Sequence, residues 1–453
     1  MSLTTTPTHA VASPLNLASG TVLEGEERQD DAVTGRGYGI YRAIKSPLLI
    51  EECVALLNRG GVVALVPASA SRAYLEMITE QVIPFARSRS RAEDGTRGGI
   101  LALPTSGSTG APKLVALPVA CLERFLGWGR AYFGLKDTTV SLSLSPWNFD
   151  VSLLDTWAVL AAGGTVVAAG ASRLHDTSYV ARLLEQYCPT FIQVVPSTLD
   201  ALVAAVGEEV YPSVQHVVVT GGVVAPTLRG VAASLFPEAT FHNVYGSTEV
   251  NDCLIETLSA RQFACTETLP IGTSIAGCEV LLDGGGLRVP VETAAEGVVG
   301  ELLVRTPWMA LGYIAEGVIK PLSLTKESLL PMGDLALRSR GRLMYQGRRD
   351  RTIKLRGQRV NLEEIEHAAR QSGLVGLACA WLDTSGSTEE LHLAYTAPES
   401  GAVASGLQLR VALSARLPSF AMPNRLHAFA APFPVNGNGK PDLPTIKSRA
   451  ESE

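Results

Sequence analysis

Thr105-Ser106-Gly107-Ser108-Thr109-Gly110-Ala111-Pro112-Lys113 follows directly on the apolar run Gly99-Ile100-Leu101-Ala102-Leu103. Glycines let a backbone curl until its N–H groups converge on an anion. The hydroxyls can donate to non-bridging phosphate oxygens, and the lysine adds a cation. A Walker A loop needs Gly-Lys-Ser/Thr after its spacer, whereas Pro112 precedes this lysine and Leu114 follows it. A plain Gly/Ser linker has a similar composition, but an apolar strand running straight into the segment argues against a floppy connection.

Outward from this loop, a chain of 453 residues is too long for one ordinary core and divides into two or three subdomains. With 46% apolar and 18% charged residues it reads as a soluble globular protein. A net charge of −6 gives no electrostatic basis for binding nucleic acid or an anionic membrane. The seven cysteines are odd in number and never spaced Cys-x-x-Cys, which favours reduced thiols in a cytoplasmic protein. No stretch approaches the ~20 apolar residues that span a bilayer. Residues 1–36 lack the pattern of a signal peptide and are expected to be poorly ordered.

From residue 163 to 245, β-branched runs alternate with amphipathic segments. Strands are expected at 164–168, 191–195, 217–219 and 241–244, and helices at 179–187, 198–206 and 227–235. Such alternation builds right-handed crossovers over a largely parallel, buried sheet. Ligands gather beyond the carboxyl ends of strands in these sheets. Pro196-Ser197, Thr220-Gly221-Gly222 and Tyr245-Gly246-Ser247-Thr248-Glu249 all begin where an expected strand stops. After Asp350 the pattern changes to a short helix at 362–370, strands at 377–381, 391–395 and 426–430, and a helix at 407–417. The fold class is therefore α/β, with mostly parallel sheets flanked by helices over 37–349. A small α+β domain follows over 350–453.

Four further blocks follow the loop: Asn148-Phe149-Asp150-Val151-Ser152, Asn243 to Glu249, the stretch from Gly333-Asp334 to Glu366, and Asn438-Gly439-Lys440. Together with the loop, in this order, they resemble the adenylate-forming superfamily of acyl- and aryl-CoA synthetases, luciferases and nonribosomal peptide synthetase adenylation domains. The resemblance covers residues 98–442, and the chain is shorter than relatives ahead of the loop. It implies ATP and Mg²⁺ as cofactors, with Thr105, Ser106, Gly107, Ser108, Thr109, Gly110 and Lys113 around the phosphates. By the same resemblance Glu249 holds the metal, Thr248 meets the α-phosphate, and Asn243 and Tyr245 take the adenine. Gly222, Gly246 and Ser247 complete the nucleotide site, with Asp334 on the ribose and Tyr345 and Arg348 nearby. Asp350 corresponds to the hinge of a mobile small domain, and Lys440 to the lysine that bridges substrate carboxylate and nucleotide during adenylation.

Asp150 separates substrate classes. In the amino-acid-activating branch an aspartate at this point pairs with the substrate's α-ammonium, whereas fatty and aryl acids leave it without a partner. The competing structural reading is a helix N-cap. By motif spacing, Val151, Leu154, Gln193, Val218, Thr220, Val244, Asp252 and Cys253 line the same pocket. The polar members favour a small polar or cationic side chain. No Gly-Gly-x-Ser attachment motif is present, so the expected acceptor is the phosphopantetheine of a separate carrier protein, as in natural-product biosynthesis. The alternatives are an acyl- or aryl-CoA ligase and a nucleotide-binding regulator without catalysis. The presence of Lys113, Glu249, Asp334 and Lys440 speaks against the last.

Overall fold

The computed structural model describes residues 15, 17, 20–26, 32–90, 98–105, 113–170, 173, 176–207, 209–355, 358–383, 390–398, 402–417, 421–430, 433–435 and 441–450. Buried, β-branched runs such as Val62–Val66 and the valines and threonine of His216–Thr220 form the middle of two large sheets. The first has eight strands in the order Thr21–Leu23, Thr165–Ala168, Val140–Ser143, Phe191–Val194, His216–Thr220, Thr240–Ser247, Asn251–Ser259 and Thr273–Ser274. The first six run parallel and the last two antiparallel. The helices Thr177–Tyr187, Pro196–Val206, Pro226–Leu235 and Ala260–Cys265 bury one face of this sheet.

The second sheet has seven strands and mixed direction, ordered Val318–Pro321, Gly312–Ala315, Lys113–Pro118, Ile100–Thr105, Val62–Val66, Tyr38–Arg42 and Val33–Gly35. Between the two sheets lie the helices Pro47–Asn58 and Val119–Phe133, in a core that runs from Leu65 and Leu117 to Phe191 and Val244. The entry of Pro47–Asn58 follows from its sequence: the Ser46 hydroxyl accepts from Leu49 N–H, and Pro47 occupies the first helical position. The helix Arg72–Ser90 covers the outer face of the second sheet.

A third, five-stranded sheet is antiparallel throughout and ends in the hairpin Leu330–Ser339/Arg342–Arg348. A 3₁₀ turn at Arg349–Arg351 follows. Beyond it, the helices Leu362–Gln371 and Gly406–Ser414 pack on a three-stranded sheet of Ala378–Asp383, Glu390–Thr396 and Arg425–Phe429. The two apolar cores of this part draw no residue from before Ile353.

Two expectations need correction. The first 36 residues are not uniformly disordered: Thr21–Leu23 extends the first sheet beside Thr165–Ala168, and Leu15 and Leu17 are buried in the central core. Glu24 fixes the strand by accepting from Arg182 and from the Tyr187 hydroxyl at 2.8 Å. The strand expected at 241–244 runs on through Ser247, because Tyr245 pairs with Leu254 and Ser247 with Asn251 across a bulge. Tyr245-Gly246-Ser247 therefore belongs to the sheet edge and not to a loop beyond it.

Candidate functional site

Two of the sequence blocks, Asn148 to Ser152 and Asn243 to Glu249, meet at the carboxyl ends of the parallel strands. Asp150 follows Val140–Ser143 through a short turn, and Thr248 follows Thr240–Ser247. The Thr248 hydroxyl donates to Asp150 Oδ2 at 2.7 Å, and Val151 N–H donates to Oδ1 at 2.9 Å. Asp150 does not cap a helix; the π-helix Leu153–Ala158 starts after Ser152 without a side-chain cap. One residue beyond Thr248, the Glu249 carboxylate accepts from the Tyr313 hydroxyl at 2.8 Å. Its carbonyl accepts from Ala310 N–H at 2.8 Å.

Tyr245 lies across the same strand end from Val244. Its hydroxyl donates to Asp334 Oδ2 at 2.5 Å, and Arg348 Nη1 is 3.4 Å from Oδ1 of the same carboxylate. Asp334 and Arg348 face one another because they are paired residues of the antiparallel hairpin. Burial, with the Asp334 charge beside it, pushes the Tyr245 phenol well up, so it remains a donor. Gly246 is required by space: a Cβ there would lie 2.0 Å from Asn251 O. The Ser247 hydroxyl is buried without a partner. Asn243 spends its amide donor on Pro270 O at 2.7 Å, which leaves its carbonyl oxygen for another donor. Tyr345 donates to Glu363 at 3.2 Å across the 3₁₀ turn. Gly222 lies exposed beyond His216–Thr220.

Leu154, Val218 and Val244 belong to the core between the sheets. Gln193 and Thr220, both buried, share the sheet face of Val218 by strand alternation. Gln193 Oε1 is buried and has no hydrogen-bond partner. Val151 is half-buried at the start of the turn. Asp252 pairs in register with Gly246, is buried, and carries a carboxyl pushed up to about 8 by burial and by the nearby Asp150 charge. Cys253 departs from the expected lining. It is buried in the core of the third sheet, with its thiol donating to Tyr245 O at 3.5 Å, on the side of the strand opposite Val244.

A sequence profile of AMP-binding enzymes matches residues 46–314, more than half of the chain. The protein belongs to the AMP-binding enzyme family. It is 32% identical over 357 residues to an L-proline--[L-prolyl-carrier protein] ligase of Streptomyces coelicolor, a match covering 77% of this chain and 65% of that protein. It is 29% identical over 360 residues to a D-alanine--D-alanyl carrier protein ligase of Bacillus cytotoxicus, covering 76% and 69% respectively. The matched segment thus spans about two thirds of the length of each relative. Among solved structures, NpsA of Klebsiella oxytoca in complex with 3-hydroxyanthranilyl-AMSN superimposes with a TM-score of 0.72 over 95% of this chain and 89% of that one. At 21% identity that likeness speaks for the fold alone.

Within this adenylate-forming fold, several expected site residues fall outside the description. Residues 106–112 do so, so Ser106, Gly107, Ser108, Thr109 and Gly110 have no stated geometry. Their flanks are paired: Thr105 faces Lys113 across the antiparallel strands Ile100–Thr105 and Lys113–Pro118. The strands on either side of the loop therefore run antiparallel to one another. Lys440 also lies outside the described residues, between Val435 and Pro441, which form an antiparallel bridge. The backbone of Asp350 forms part of the 3₁₀ turn, but its side chain is not described. Sequence reasoning missed Tyr313 and Glu363. Tyr313 reaches the site because Gly312–Ala315 pairs with Lys113–Pro118, a distant partner in the chain that no local spacing announces. None of the seven cysteines is joined in a disulfide. Among the described residues, no helix is long and apolar enough to cross a membrane.

Proposed function

We propose that this protein activates an amino acid as an aminoacyl-AMP, releasing pyrophosphate, and then passes the aminoacyl group to the phosphopantetheine thiol of a separate carrier protein. The Thr248–Asp150 hydrogen bond carries the reading. It ties a carboxylate able to hold an α-ammonium to the turn that faces the α-phosphate in the adenylate-forming resemblance. The two carrier-protein ligases among the relatives support the same assignment.

In this reading a substrate carboxylate oxygen attacks the α-phosphorus, and the bond to pyrophosphate breaks. Two anions must approach each other, so positioning and charge carry most of the catalysis. Lys113 and the loop hydroxyls hold the outer phosphates, Asp334 accepts from the ribose hydroxyls, and Lys440 bridges the attacking carboxylate and the nucleotide. The Glu249 carboxylate suits Mg²⁺, which takes one or two protein carboxylates and completes its shell with phosphate oxygens and water. No group of three His, Cys, Asp or Glu among the described residues offers a fuller protein cage. When bound, the ion neutralises charge on the phosphates. Gln193, Thr220 and Asp252 make the pocket polar, which favours an amino acid with a small polar or cationic side chain.

Pyrophosphate exchange across proteinogenic and common nonproteinogenic amino acids tests the proposal. Exchange with an amino acid supports it. Turnover only with aryl or fatty acids assigns a CoA ligase, and nucleotide binding without exchange assigns a regulator.

A further inference from the structure

Lys113 and Glu249 carry opposite charges on different sheets, and one side chain stands between them. Tyr313 presents its ring to the Lys113 ammonium, 5.4 Å from Nζ to the centroid, and its hydroxyl to Glu249 Oε1 at 2.8 Å. The backbone around it is fastened in both directions. Tyr313 pairs with Val115 and Leu311 N–H donates to Ala116 O, both on the second sheet. Ala310 N–H donates to Glu249 O at the end of the first.

We infer that Tyr313 is a positioning residue, which holds the Glu249 carboxylate and the Lys113 ammonium apart and aimed at a shared ligand. The inference rests on the proposed nucleotide site and adds to it a residue outside the motif blocks. A lysine and a glutamate that share one neighbour attract each other, and an ion pair between them would take each away from phosphate or metal. The aromatic face gives the ammonium an alternative partner of modest strength. The phenol fixes one carboxylate oxygen with a charge-assisted hydrogen bond, leaving Oε2 for a cation. Among the described residues, Lys113 and Glu249 form no ion pair with each other, in keeping with such a spacer.

Calorimetric titration of the full chain with ATP plus Mg²⁺, ATP plus EDTA, and AMP decides the matter, alongside thermal unfolding. Tyr313→Phe keeps the ring and removes only the donor. We expect it to weaken binding of ATP with Mg²⁺ by about tenfold, the scale of a lost hydrogen bond to a charged group. AMP binding and the unfolding midpoint should be unchanged. Tyr313→Leu should also weaken metal-free ATP, because the Lys113 rest is gone. In a double-mutant cycle, Tyr313→Phe should have little further effect on a Glu249→Gln background. Tyr313→Phe with wild-type affinity for ATP plus Mg²⁺, or with AMP affinity lost in equal proportion, overturns the inference while leaving the adenylation reading standing. Wild-type protein that binds no ATP with Mg²⁺ overturns both.

Discussion

The Asp150 charge acts on the buried Asp252 carboxyl, and each of the two residues predicts a different measurement. If Asp150 receives the substrate's ammonium, Asp150→Asn should retain ATP binding and weaken amino acid activation by roughly 3–5 kcal/mol, the cost of breaking a buried charge pair. Pyrophosphate exchange read against nucleotide affinity separates the two effects. A neutral outcome would point to an uncharged substrate. Asp252 is raised to about 8 by burial and by Asp150. In the folded protein it therefore keeps its proton over a range where the unfolded chain, near its ordinary value of 3.8, has lost it. Folded protein binds more protons there, so stability contributed by this group is fully present below pH 4 and falls as pH rises toward 8. Asp252→Asn should flatten that slope, giving a ligand-free protein that gains relative stability at pH 8 over pH 5. Thermal unfolding of both proteins across pH 4–9 checks the sign. An unchanged slope would mean that the carboxyl is not held neutral.

Elements differed in how plainly the sequence announced them. The alternating segments between 163 and 245 were legible because each strand is a short β-branched run and each helix has an apolar stripe; Phe191–Val194 and Thr177–Tyr187 fall where that pattern places them. The small unit after residue 350 was legible for the same reason, as Glu390–Thr396 and Gly406–Ser414 show. Partner choice was not legible. Nothing local tells Gly312–Ala315 to pair with Lys113–Pro118, and that pairing alone delivers Tyr313 to the site. The hairpin under the Ser/Gly loop was hidden likewise, since Lys113–Pro118 reads equally well as a parallel strand until its neighbour is known. The π-helix Leu153–Ala158 has no sequence signal of its own. It follows Asp150 closely, as such distortions often accompany functional sites. The surroundings of Cys253, in the core of the third sheet, were not legible either, because motif spacing cannot see the bulge at Tyr245/Gly246, where the register shifts.

On the scale of the whole molecule, the part beyond Arg349 has its own cores, and the described side-chain contacts to the rest include Tyr345–Glu363 and Asn361 Nδ2 to Gln346 O at 2.8 Å. That arrangement suits a rotation about Asp350 that brings Lys440 to the nucleotide and then withdraws it. Asp350→Pro fixes φ near roughly −65° and removes a backbone donor. We expect folding to persist and one half-reaction to survive much better than the other. Rapid-quench timing of adenylate formation and thioester transfer reads both; equal slowing at unchanged stability would place the pivot elsewhere. The three-residue strand Thr21–Leu23 has a consequence of another kind. Among the described residues it is the strand that covers the flank of Thr165–Ala168, whose amides would otherwise stand open. A chain trimmed to begin at residue 24 keeps the second sheet whole, and should retain its catalytic groups yet offer a docking template to its own copies. Light scattering should then show concentration-dependent oligomers, with solubility, more than turnover, recording the loss of those few residues.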